Sequence, residues 1–336
     1  MKLLFKLIEA FGASGNEGNV RKIISREVKP YVDDLITDKL GNLIAHKKGK
    51  APKIMLAAHM DEIGLIIKSI DQKGRIYFSS LGGIEQLTLL GQRVHVLKKN
   101  GFINGFITLN EISNDALMNR LPEMTDLFID TGLDKAELEK EGVEIGSNIS
   151  LGFRHNFNLG KKDIIAGKAL DDRIGCYILT ELIKKSHKFK SEVFFVFTVQ
   201  EEIGLYGAKT SAYEINPDYA IVAEATSSDD MKPEPTISIG KGPCLTIKDA
   251  ESVSDKKLNK WIKEVAKQKS IAIQYDINDI GTTDAMTISI SKGGVPAAVI
   301  SVPIRNIHSA MGIAHAEDIR NAILLFEELL KKPINY

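Results

Sequence analysis

Five short segments carry the side chains best able to do chemistry in this chain: His59-Met60-Asp61, Asp171-Asp172, Glu201-Glu202, Glu224 and His308. Each stands at or just past the end of a strand-like run, or at the start of a helix-like one. Open α/β sheets bind ligands along that edge. Two imidazoles and several carboxylates gathered there form a mixed nitrogen and oxygen donor set that suits zinc, cobalt or manganese. His59 and Asp61 are two residues apart, so in extended chain they point the same way. Asp61 is thereby placed to accept a hydrogen bond from the imidazole nitrogen that a metal leaves free. One aspartate of the Asp171-Asp172 pair suffices to cap the helix that follows, which leaves the other available. Two adjacent carboxylates after a very apolar strand are costly if buried unpaired. Such a pair can divide labour, one ligating while its neighbour handles protons. Singly, each segment has a plainer explanation: a satisfied histidine, a helix cap, a surface turn.

The elements that must position these groups follow from hydrophobic patterning. Residues 54–58 form a short continuous apolar run, 193–199 the most apolar strand in the chain, and 219–223 and 297–302 two more; such runs suit strands buried on both faces. Residues 42–46 alternate in strand fashion, and helical patterns cover 19–28, 171–185, 257–269 and 317–331. This alternation predicts an α/β domain with a mainly parallel sheet and helices on both faces. Between residues 68 and 161 the texture changes to short β-rich runs (75–78, 93–97, 101–108, 148–151), with helical signal at 135–140. That block reads as an inserted small β-rich domain, splitting the α/β domain into residues 1–67 and 162–336.

Composition narrows the partners. Among 336 residues, 44 Lys+Arg balance 44 Asp+Glu, so the basic excess that holds proteins on nucleic acid or anionic membranes is missing. With 43% hydrophobic and 26% charged residues the chain is an ordinary globule. Cys176 and Cys244 are too few for a disulfide framework, which points to a reducing compartment. Lys6 and Glu9 interrupt the N-terminal apolar run, so Leu4, Ile8 and Phe11 read as an amphipathic helix rather than a signal peptide. No stretch approaches the length of a membrane span. A soluble cytoplasmic protein is expected.

The stretches AAHMDEIGLI, GKALDDRIG, VQEEIGLYGAK, the strand ending at Glu224, GTTDA and IHS, in this order across nearly the whole chain, resemble the tetrahedral-aminopeptidase family. It comprises glutamyl and deblocking aminopeptidases, family forty-two of the metallopeptidases. The resemblance implies that His59 and His308 each bind one of two divalent metals, zinc before cobalt or manganese. Asp171 would bridge the pair, Glu202 would complete the His308 site, and Glu224 would serve the His59 metal. Asp61 would be the partner of His59, and Glu201 the general base. It also implies a zinc-peptidase-like catalytic domain with a PDZ- or barrel-like dimerisation insert, hydrolysis at the N-terminus of short peptides, and a homo-oligomer such as a tetrahedral dodecamer.

Some positions depart from the family pattern. Glu224 stands where many members have Asp, GTTDA replaces a usual GGTDA, and RNIHSAMGIAH lacks the usual aromatic before the Ile and the Pro and acidic residue after the Ser. Glutamate at position 224 makes a deacylase, deblocking or carboxypeptidase-type amidohydrolase the alternative on the same site. A non-catalytic assembly protein would have no reason to keep the full ligand set with Glu201. A glycosidase would need a carboxylate pair but leave two histidines unexplained. His46, His95, His155 and His187 lack acidic company at ligand spacing, and His315 lies nearer the site in sequence. Cys176 falls on an apolar helical rhythm, and Lys256, Lys257, Lys260 and Lys263 mark a solvated helix face.

Overall fold

The computed structural model describes residues 1–109, 121–152 and 157–336; His155 lies outside the described residues. An eleven-stranded sheet forms the larger part. Its strands are β1 (Asp34–Thr37), β2 (Leu43–Lys47), β3 (Lys50–His59), β10 (Phe157–Asn158), β11 (Ile164–Gly167), β12 (Ser191–Thr198), β13 (Tyr219–Ser227), β14 (Cys244–Lys248), β15 (Gln274–Ile277), β16 (Ala297–Arg305) and β17 (Gly312–His315). The order is β1-β2-β12-β3-β13-β16-β17-β11-β10, with β14 and β15 branching from β16.

The sheet is mixed, which corrects the expectation of a mainly parallel one. The four central strands β12, β3, β13 and β16 run parallel, whereas β1, β2, β17, β11 and β10 pair antiparallel at the margins. The reason is connection length: parallel neighbours need a crossover helix, while short reversals such as Thr37 to Leu43 and Arg305 to Gly312 produce antiparallel pairs. Helix–strand alternation in sequence reports only the former.

Two apolar cores flank the sheet. On one face, side chains such as Ile54, Leu56 and Phe195 pack under helices α1 (Lys2–Glu9), α2 (Gly18–Val28), α4 (Leu170–Ile183), α6 (Lys256–Gln268) and α8 (Ala316–Lys331). On the other, Met55, Ala57, Val196 and Val222 meet α5 (Tyr206–Ile215) and α7 (Asp284–Ser289). Leu4 and Ile8 of α1 are buried as its pattern requires, and Phe11 is buried beyond the helix end.

Strands β4 (Gly64–Ile70), β5 (Ile76–Leu81), β6 (Arg93–Lys98), β7 (Gly101–Leu109), β8 (Leu127–Asp130) and β9 (Asn148–Leu151) close into a separate barrel, with α3 (Lys135–Lys140) following β8. Residue 68 falls inside β4, and residue 161 falls between β10 and β11, both strands of the large sheet. Among the described residues no helix is long and apolar enough to cross a membrane.

Candidate metal centre

Parallel pairing brings the strand ends to one level. Thr198 pairs with His59, Val222 with Ala57, and Glu224 with Ser301. Side chains alternate along a strand. Because Ala57, Val196 and Val222 face the smaller core, His59, Thr198 and Glu224 project on that same side at the carboxyl end of the sheet. His59 Nε2 lies 3.4 Å from Glu224 Oε1 and 3.9 Å from Glu201 Oε2.

Asp171 reaches this cluster because α4 begins irregularly. Ala169 is left-handed (φ 51°), and Asp171 (φ −82°, ψ 112°) and Asp172 (φ −115°, ψ 41°) are not yet helical. Asp172 does the capping: its Oδ1 accepts from Gly175 N at 2.9 Å and its Oδ2 from His59 N at 3.2 Å. Its position near His59 and Glu224 is thus explained by backbone hydrogen bonds. Asp171 is left to face the histidines, with Oδ1 3.1 Å from His59 Nε2 and Oδ2 3.4 Å from His308 Nε2. Glu202 Oε2 is 3.8 Å from His308 Nε2. Donor atoms of His59, Asp171 and Glu202 lie within 4.8 Å of one another.

Asp61 is fully buried, and its carboxylate works mainly on the opposite turn. Oδ1 accepts from Glu201 N at 3.0 Å; Oδ2 accepts from Glu202 N at 3.2 Å and Ser14 Oγ at 2.6 Å. His59 Nδ1 is 3.1 Å from the Asp61 backbone carbonyl and 3.5 Å from its Oδ1. The residue's main chain thus orients the imidazole while its side chain anchors the Glu201-Glu202 turn. Beside it, buried Glu62 takes Lys168 Nζ at 2.5 and 2.7 Å, and Arg173 donates to the carbonyls of Leu7, Ala10, Gly12 and Met60. These contacts tie the N-terminal segment, the His59 turn and α4 together.

The electrostatics of these side chains are those of a cation site. Burial, then repulsion from Asp171, lifts Glu202 to about 8. Burial also raises Glu224, and raises Glu201 well above the usual carboxylate range, against the opposing pull of His59. Burial alone would raise Asp171 too, yet His308 and His59 hold it well below that range. The Asp171 hydrogen bond carries His308 up to about 9. Glu224 Oε2 is buried without a hydrogen-bond partner, a costly state for a carboxylate oxygen. An orphaned oxygen beside His59, within an imidazole–carboxylate cluster, fits a divalent cation.

The model of the M42 glutamyl aminopeptidase family matches residues 41–325. The chain belongs to this family. Its sequence is 34% identical over 348 residues to the lysyl aminopeptidase of Pyrococcus furiosus, covering 100% of this chain and 98% of that protein. Its fold superposes with a TM-score of 0.94 on a TET aminopeptidase from a marine sediment archaeon, Thaumarchaeota archaeon SCGC AB-539-E09, at 36% identity over 99% of this chain and 97% of the other. A Pyrococcus horikoshii TET1 peptidase, described as able to assemble into a tetrahedron or a large octahedral shell, matches with a TM-score of 0.88 at 31% identity, covering 98% and 99%. This family member is a metal-dependent aminopeptidase.

All seven residues singled out from the sequence (His59, Asp61, Asp171, Glu201, Glu202, Glu224 and His308) meet at this sheet edge. The remaining described histidines lie elsewhere. His46 pairs with Asp34 and Glu192, His95 packs on Phe102 and Phe11, His187 is exposed, and His315 caps α8 by accepting from Glu317 N. Cys176 is buried in α4, its Sγ donating to the His59 carbonyl.

Sequence reasoning missed Ser14 and Glu17, whose stretch reads only as a glycine-rich break, yet Glu17 Oε1 accepts from Gln200 N at 3.2 Å. It also gave Asp284 of GTTDA no role. That residue is fully buried, takes Thr198 Oγ1 at 2.6 Å, and is raised to about 7 by burial. An acid at a helix start looks like a cap, and here Thr283 is the cap instead.

Proposed function

We propose that this aminopeptidase uses two divalent cations, with His59 and Glu224 holding one, His308 and Glu202 the other, and Asp171 between them. Bound there, the pair would supply an activated water nucleophile and positive charge opposite the developing oxyanion. Zinc suits these donors, with cobalt or manganese as alternatives. The chain's own part in the chemistry is proton handling. Glu201 is buried, with Oε2 near His59 and its backbone held by Asp61. It takes the proton of the attacking water and hands it to the amine nitrogen that leaves. The carrying observation is Asp171, whose two oxygens face two different histidines.

The substrate class we assign is short peptides with a free N-terminus, supported by family membership. The test pairs metal analysis of purified protein with digestion of matched free and N-acetylated peptide libraries. Two equivalents of metal and cleavage of the free peptides alone are expected. Activity confined to the acetylated set would replace this reading with a deacylase. Similarity to the shell-forming peptidase extends over the barrel as well as the sheet, which supports a homo-oligomer, with a tetrahedral dodecamer as the specific form and the barrel as a dimerisation element. Light scattering of the purified protein gives the subunit count. Two buried free thiols support a reducing, cytoplasmic setting.

A further inference from the structure

His308 differs from the other candidate ligands in what supports it. His59 and Glu224 lie on central strands, Asp171 opens a buried helix, and Asp61 holds the Glu202 amide. His308 sits in the loop between β16 and β17, with a side chain 44% exposed and a left-handed backbone (φ 57°), as at Asn306 (φ 54°). That loop is seated on both parts of the molecule: Ile307 packs against the large apolar core, and the stretch beyond His308 packs against the barrel. Ala310 is buried within the barrel's own apolar core, with Leu65, Val94 and Leu151. A Cβ on Gly152, just past β9, would come within 2.7 Å of the Ala310 carbonyl oxygen. A Cβ on Gly83, just past β5, would stand 3.2 Å from His308 Nδ1, and one on Gly82 would stand 2.9 Å from Glu202 Oε2. One barrel turn therefore lies directly against both ligands on the His308 side of Asp171.

We propose that the barrel is the positioning element for half of the metal centre. Gly83 and the seat for Ala310 set the His308 imidazole, so the cation held by His308 and Glu202 depends on barrel packing. The cation held by His59 and Glu224 depends chiefly on the central strands and on the start of α4, which carries Asp171. This rests on the two-cation reading above. The loop's own side-chain hydrogen bonds are short-range, Ser309 Oγ donating to the Asn306 carbonyl at 2.6 Å, and none of them holds the imidazole itself. Disturbing the groups that orient a metal-bound imidazole weakens binding about 10–100-fold.

The experiment is calorimetric titration of the metal-stripped full-length protein with cobalt(II). Wild type should show two binding events, and His308→Ala identifies which of them belongs to His308. Gly83→Val should weaken that event about 10–100-fold and leave the other within about twofold. Gly83 is not left-handed, so a side chain there escapes the strain of a left-handed backbone. If the valine variant fails to fold, Gly83→Ala replaces it, since His308 need then yield only slightly. Gly293→Ala is the control: Gly293 is not left-handed and has open space where a Cβ would stand. It should leave both events unchanged. Unchanged events in the Gly83 variant overturn the proposal, and so does equal weakening of both, which would mean general destabilisation. A single event in wild type would instead refute the two-cation reading itself.

Discussion

Replacing Asp61 by Asn tests the claim that this carboxylate anchors the catalytic turn. The change preserves shape but converts one acceptor oxygen into an NH2 donor. In its best orientation the amide oxygen takes the Oδ2 place and keeps Ser14 Oγ and Glu202 N. The NH2 then faces the Glu201 amide, donor against donor, where Oδ1 now accepts at 3.0 Å. The other orientation is no better, since the NH2 then faces the Glu202 amide, donor against donor, although the Ser14 hydroxyl can turn to accept from it. A buried amide left without an acceptor costs about 1–3 kcal/mol. The turn can avoid that cost only by moving Glu201 off its position. Spent on misplacing the base, the same energy corresponds to a loss of about 5- to 150-fold in kcat. Steady-state kinetics on a free-amine peptide gives kcat, and cobalt titration of the same variant reports the metal site. The expected result is a fall in kcat with metal affinity close to wild type, because His59 Nδ1 retains the Asp61 carbonyl. A kcat within twofold of wild type would refute the anchoring argument. A loss of metal matching that of His59→Ala would show that the carboxylate acts through the imidazole instead.

Glu201→Gln should retain its metal content while turnover falls about 10²–10⁴-fold, as for loss of a positioned base; near-normal rates would remove Glu201 from that role. Metal affinity should rise with pH between about 6 and 9. Glu202, raised to about 8, and His308, raised to about 9, must each shed a proton before ligating. Calorimetry in buffers of different ionisation heat should show proton release at neutral pH; affinity that falls with rising pH contradicts the assignment. Arg173→Met removes one donor from each of the carbonyls of Leu7, Ala10, Gly12 and Met60 and one cation from buried Glu62. Breaking a buried ion network in this way costs about 3–5 kcal/mol, measurable by urea unfolding, and a loss below about 1 kcal/mol would show that the network is dispensable. Asp171→Asn should abolish metal binding, whereas Asp172→Ala, which removes the cap, should cost about 0.5–2 kcal/mol of stability. Equal effects of the two on metal affinity would contradict the division of labour between them.

Much of the site was legible because its signals are local. A histidine or glutamate at the end of an apolar run is visible in sequence, and strand periodicity decides which face it takes. The spare aspartate at 171 follows from needing only one cap. The barrel strands β5, β6, β7 and β9 were legible as short runs between turn residues, whereas β4, β8 and the closure were not. The antiparallel margins of the sheet were not legible, because pairing direction depends on which strands come to lie side by side. The Ser14–Asp61 hydrogen bond joins residues 47 apart, and a serine in a glycine-rich break carries no mark of its partner.

By itself, then, the sequence determined the donor chemistry and the edge on which it gathers, since residue type and period-two alternation are properties of neighbouring residues. Only the tertiary structure decided that the two oxygens of Asp171 face different histidines. It also decided that Asp61 holds the Glu201-Glu202 turn and that a barrel glycine lies against His308. Those relations join segments tens to hundreds of residues apart, and their distances are set by strand register and core packing. No local pattern encodes either.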